Sequence, residues 1–211
     1  MNSMICIYPK DESTDFLSPL YEKICSKGFK GIHINTNTDS DIVLNAIKEA
    51  KTVIFIGHGT TYSLMGSPLN GRKTNIIERE SISYLLGKKL FLLSCRSVEF
   101  CDAFNLNNYI GFGMMPTGID EVFSMIDDDS NFPCLNKNDI EVYNQALIKA
   151  LCTAFDLSSM DNLEDLYNKI RLCINIEIVK CLINKESPMY RSVADLLQDL
   201  KNDCKYSVSI R

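Results

Sequence analysis

Two short apolar runs constrain this chain more than anything else in it: Thr52-Val53-Ile54-Phe55-Ile56 and Leu90-Phe91-Leu92-Leu93. Neither alternates apolar with polar residues, so neither suits a strand with one wet face. Both read as strands buried on two sides, the habit of a parallel sheet covered by helices. Each run stops at residues that carry chemistry, Gly57-His58-Gly59 after the first and Ser94-Cys95-Arg96 after the second. In open α/β sheets, ligands and reactions gather at the carboxyl ends of strands. Consecutive strands are usually neighbours, and neighbours lie about 4.8 Å apart. The pattern predicts that His58 and Cys95 face each other across one strand spacing.

The remaining elements fit the same architecture. Met4–Tyr8 is a first strand, stopped by Pro9, and a helix follows to about Lys27 with Phe16, Leu20, Ile24 and Cys25 on one face. Gly31–Asn35 reads as a strand near an edge, with Ile32 and Ile34 on one side and a structural His33 on the other. A helix over Asp39–Ala50 turns Val43, Leu44, Ile47 and Ala50 inward. Thr60–Asn75 is a long polar connection, either a groove wall or a surface excursion, and a short helix is expected over Ile77–Leu86. Val98–Asn105 is a helix and Tyr109–Met114 a fifth strand. Beyond about Asp139 only helical stripes occur, with Pro188 separating the last two. These helices are expected to pack on the sheet, so the chain reads as a single domain over 1–211. Its α/β core covers 1–137 and its helical part 138–211.

Composition narrows the function. A formal net charge of −5 with no basic face argues against nucleic acid as a partner. No stretch approaches the ~20 apolar residues that span a bilayer, and the first residues lack a signal-peptide pattern, so a cytoplasmic protein without membrane association is expected. Nine irregularly placed cysteines, no CxxC pair and two histidines suit reduced thiols rather than disulfides or a zinc site. Asp127-Asp128-Asp129 reads as a solvated acidic loop.

A cysteine attacks as its thiolate, and a nearby histidine can hold the proton and later return it. Peptide cleavage also needs donors for the oxyanion that develops. The backbone N–H groups of Gly59 and Cys95 are the candidates, and the glycines around His58 let a substrate chain come close.

IFIGHG followed by LFLLSCRS resembles the caspase-like (clan CD) cysteine peptidases, especially the bacterial CHAT-type branch, which carry a His-Gly after the third strand and a cysteine after the fourth. Leu93-Ser94 stands where caspases have Gln-Ala, and Ser97 where they have Gly, which speaks against aspartate specificity. The resemblance implies an α/β, three-layer fold with a mostly parallel sheet ordered 2-1-3-4-5, helices on both faces and extra C-terminal helices. It also implies a cysteine endopeptidase with a Cys95–His58 dyad, acting on protein substrates without metal or organic cofactor. Control by a regulatory protein partner, or by self-cleavage in the 60–75 or 124–137 loop, is expected, and a bacterial defence or cell-death module as its setting follows from the same likeness. Residues after the fifth strand would line the substrate groove, which nominates Met115, Thr117 and Asp120. Asp120 would favour a basic residue at P1, with Asp11 its rival for that pocket. Two alternatives stand beside this reading: a catalytically inactive caspase-like interaction module, and a flavodoxin-like small-molecule-binding domain. The second is weakened by the loop PKDESTD, acidic and glycine-free, which is unsuited to cradling phosphate.

Overall fold

A computed structural model describes residues 3–34, 40–67, 74–116, 118 and 135–208. The chain opens with β1 (Met4–Pro9), α1 (Ser18–Ser26), β2 (Lys30–Ile34), α2 (Ser40–Glu49) and β3 (Thr52–Ile56). A small antiparallel hairpin, β4 (Leu64–Met65) and β5 (Asn75–Ile77), precedes β6 (Lys89–Leu93), α3 (Ser97–Ala103) and β7 (Tyr109–Gly111). Three long helices follow, α4 (Lys137–Leu157), α5 (Leu163–Asn184) and α6 (Tyr190–Asp203), and the chain returns to the sheet as β8 (Lys205–Ser207).

The sheet is six-stranded, ordered β2-β1-β3-β6-β7-β8, parallel except for β8. Here the expected five-strand sheet is corrected: an antiparallel sixth strand lies beyond β7, and the hairpin strands take numbers without joining the sheet. Side-chain alternation explains why the central runs are apolar throughout. Cys6, Tyr8, Ile54, Ile56, Phe91 and Leu93 face α1, α4, α5 and α6, while Ile5, Ile7, Val53, Phe55, Leu90 and Leu92 face α2 and α3. Each such side chain contributes about 1.5–3 kcal/mol by leaving water, so a covering layer is favoured on both faces. The fold is therefore α/β with a mostly parallel sheet between two helical layers.

The short helix expected over Ile77–Leu86 is absent. Ile77 ends β5, and Ser81 closes a turn, its Oγ accepting from the Glu78 N–H at 3.0 Å and its own N–H donating to the Glu78 carbonyl at 3.0 Å. Serine hydroxyls compete with helical bonding in this way, and only a 3-10 turn at Ile82–Tyr84 remains. The fifth expected strand is shorter than its apolar run, pairing only through Gly111. Among the described residues no helix is long and apolar enough to cross a membrane.

Candidate active site

The site is built where β3 and β6 end. Ile56 pairs with Leu93, and the ladder runs one step further through the Gly57 N–H, which donates to the Leu93 carbonyl at 3.0 Å. His58 is two residues past Ile56 and Cys95 two past Leu93, so the register carries both to one level on adjacent strands. They line the same open groove of about 480 Å³, together with Gly59, Tyr62, Arg96 and Met115.

Cys95 sits on a tight strand-to-helix turn. Arg96, the residue before α3, holds a left-handed backbone at φ 56°, a conformation that costs a side-chain-bearing residue on the order of 1 kcal/mol. Its neighbours hold it there. The Arg96 N–H donates to the Gly113 carbonyl at 2.9 Å. Buried Ser97 ties the ends of two strands together, its Oγ 2.6 Å from the Leu92 carbonyl and accepting from the Phe112 N–H at 2.7 Å. The Cys95 thiol projects into the groove wall, donating to the Met115 carbonyl at 3.2 Å.

His58 is buried and held from the loop after β1. Its Nε2 lies 3.0 Å from Asp11 Oδ2 and 2.8 Å from Ser13 Oγ. The other Asp11 oxygen accepts from Ser13 Oγ at 2.7 Å and from the Thr14 N–H at 3.0 Å. Burial works to raise the Asp11 carboxyl, but the Ser13 hydrogen bond, the His58 charge and the Thr14 hydrogen bonds outweigh it and hold the group below its usual range. A carboxylate has no proton to give, so Nε2 carries the N–H that faces Asp11, and when the ring is neutral Nδ1 is its basic nitrogen.

Gly59 follows and lines the same groove. It bridges Leu64 through bonds made by its neighbours, Thr60 N–H to the Ser63 carbonyl and Met65 N–H to the His58 carbonyl, which leaves its own N–H outside that ladder. Side-chain space is closed here: a Cβ on Gly59 would sit 2.6 Å from Ser94 Oγ and 3.1 Å from the Cys95 carbonyl. Ser94 Oγ is buried without a hydrogen-bond partner, so it positions neither member of the pair through a hydrogen bond.

The structure thus brings together His58, Cys95, Gly59 and Met115. Asp11, nominated above for a substrate pocket, stands against His58, because β1 lies beside β3 and its exit loop reaches the histidine. Thr117 and Asp120, like the Asp127–Asp129 loop, lie outside the described residues. Ser13 and the clamp at Ser97 were not singled out as site residues from sequence. The available signal for Ser13 was its place, two residues after Asp11, in the loop leaving the strand next to β3. Burial pushes the thiols of Cys6, Cys25, Cys101, Cys152, Cys173, Cys181 and Cys204 up. Among the described residues no group of three His, Cys, Asp or Glu side chains is placed to hold a metal ion. Compared with protein-family models, with curated proteins and with solved structures, the chain matches none.

Proposed function

We propose that the chain is a cysteine endopeptidase with Cys95 as nucleophile and His58 as acid and base. The observation that carries this reading is the meeting of His58 and Cys95 in one open groove, with a carboxylate fixed on Nε2 of the imidazole. In the proposed reaction His58 takes the thiol proton at Nδ1, and the Cys95 sulfur bonds to the carbonyl carbon of the scissile peptide. The charge that develops on the carbonyl oxygen meets the Gly59 and Cys95 N–H groups. Collapse breaks the C–N bond, the leaving amine takes the proton from His58, and water hydrolyses the thioester with His58 now acting as base. Asp11 is a positioning residue, fixing ring orientation and tautomer while offsetting the imidazolium charge. The likeness to CHAT-type peptidases supports action on protein substrates under a partner's control, in a defence or cell-death setting.

The test is alkylation by limiting iodoacetamide or a peptide acyloxymethyl ketone, mapped by mass spectrometry on wild type and His58→Ala. The expected result is selective labelling of Cys95 over the other eight cysteines, lost in the variant. Uniform labelling, or Cys95 labelling indifferent to His58, would overturn the dyad and leave an interaction module as the better account.

A further inference from the structure

The loop leaving β1 closes into a turn over residues 11–14. The Thr14 N–H donates to the Asp11 carbonyl at 3.1 Å and to Asp11 Oδ1 at 3.0 Å, and the Asp11 N–H donates to Thr14 Oγ1 at 3.0 Å. Aspartate favours such turns because its side chain can bond the backbone a few residues on. Thr14 is buried and anchors the turn to the sheet, its carbonyl accepting from the Tyr8 hydroxyl at 2.7 Å. Ser13, the third residue of the turn, is exposed as a whole, yet its hydroxyl faces inward to His58.

That hydroxyl has one proton and two partners. Asp11 Oδ1, 2.7 Å away, can only accept, so the proton goes there. The Ser13 oxygen then meets the His58 Nε2–H at 2.8 Å as an acceptor, beside Asp11 Oδ2 at 3.0 Å. One ring N–H is thus shared between two oxygens, and the residues that carry them are bonded to each other. Ser13 therefore acts twice. Its donation, with that of Thr14, occupies Oδ1 and leaves Oδ2 turned to the ring. Its acceptance gives the N–H a second contact, so a swing of the imidazole toward either oxygen stretches its bond to the other. Both contacts strengthen when His58 takes the thiol proton, because hydrogen bonds from a charged donor are the stronger ones.

We propose that Ser13 is a positioning residue of this site, its hydroxyl locking Asp11 and the His58 ring into one unit at the groove. This role rests on the reading of His58 as acid and base for Cys95. The test is the rate of Cys95 alkylation by limiting iodoacetamide, followed by mass spectrometry on variants of the full chain. Ser13→Ala should react about tenfold more slowly, the worth of one hydrogen bond to a charged ring, with its circular-dichroism spectrum kept. Ser13→Thr keeps a hydroxyl at the turn and should stay within about twofold of wild type. Ser13→Ala should add no further loss once His58→Ala is in place, because Ser13 acts through the ring. A wild-type rate in Ser13→Ala beside a slow His58→Ala would overturn the role of Ser13 and leave the dyad standing. So would a loss of the same size with and without His58, or a Ser13→Thr as slow as Ser13→Ala, either of which makes Ser13 a prop of the loop alone. A wild-type rate in His58→Ala would overturn the dyad itself, and the role of Ser13 with it.

Discussion

The chain has two histidines and holds them by different means. His33 lies on the edge strand β2, its ring 4.3 Å from the Tyr21 ring and 5.3 Å from that of Tyr8. Burial first, and then the Lys10 charge, push its pKa down, so the surroundings favour the neutral ring. His58 lies at the tip of the interior strand β3, with a carboxylate and a hydroxyl on Nε2 and a thiol sharing its groove. The difference shows what topology contributes to chemistry. An edge strand offers a histidine a surface to pack on, whereas an interior strand has neighbours on both sides whose exit loops can each supply a reacting or orienting group.

The largest effect that separates them is on reactivity. His58→Ala should slow Cys95 alkylation and the proposed peptide hydrolysis by about 10²–10⁴-fold, the usual worth of a positioned acid–base group. His33→Ala should leave both rates within about twofold, since exposed-edge packing reaches the site only through stability. Parallel rate measurements check the pair, and equal losses would erase the distinction.

Next comes Asp11→Asn, which keeps the shape and removes the charge. About a tenfold or greater loss of kcat/KM is expected, because the amide can present its N–H to Nε2 and stabilise the wrong tautomer. The same variant has a stability signature. The folded-state pKa of Asp11 lies below the unfolded value of about 3.9, so its contribution is fully present above that value and is lost as pH falls through the lowered one. Urea denaturation should show wild type ahead of Asp11→Asn at pH 6, with the gap closing from pH 4 downward. A constant gap would mean that the carboxylate charge is not what the cluster uses.

What was legible in the sequence follows the same division. His58 and Cys95 could be found because each ends a run too apolar to be anything but an interior strand, and interior parallel strands deliver their tips to one edge. The Asp11 contact could not be found that way. It depends on β1 lying between β2 and β3, and in sequence PKDESTD shows only a polar loop suited to solvent. Strand β8 was equally hidden: Lys205-Tyr206-Ser207 carries no apolar signal of its own, and pairs because the edge of β7 is open where α6 ends. The hairpin of β4 and β5 is likewise short and mostly tertiary in origin, which is why the long polar connection gave no hint of it.

Glycines beside the two histidines sharpen the contrast further. Gly59→Ala would drive a Cβ onto Ser94 Oγ at 2.6 Å, with Ser94 Cβ at 3.0 Å and the Cys95 carbonyl at 3.1 Å behind it, contacts that no turn of the hydroxyl relieves. The loop must shift, costing about 1–3 kcal/mol of stability and displacing the Gly59 N–H from its place in the groove. Gly31→Ala crowds the Tyr21 hydroxyl in the same manner next to His33. Denaturation midpoints should fall for both variants, while the rate of peptide hydrolysis per folded molecule falls for Gly59→Ala alone. Loss of rate in Gly31→Ala would connect the edge of the sheet to the site.

The smallest effect is a slope. Because the folded-state pKa of His33 is below its unfolded value of about 6.5, the unfolded chain takes up more protons just below that pH. The stability this contributes is present above pH 6.5 and declines as pH falls through the lowered value. Wild type should lose slightly more stability between pH 7 and 5.5 than His33→Gln does, and only slightly, because the residue keeps part of its surface in water. Urea midpoints at the two pH values check it. If His33→Gln keeps the full wild-type slope, the proton uptake belongs to another group, and the two histidines are no longer distinguished by the edge strand's rings and lysine.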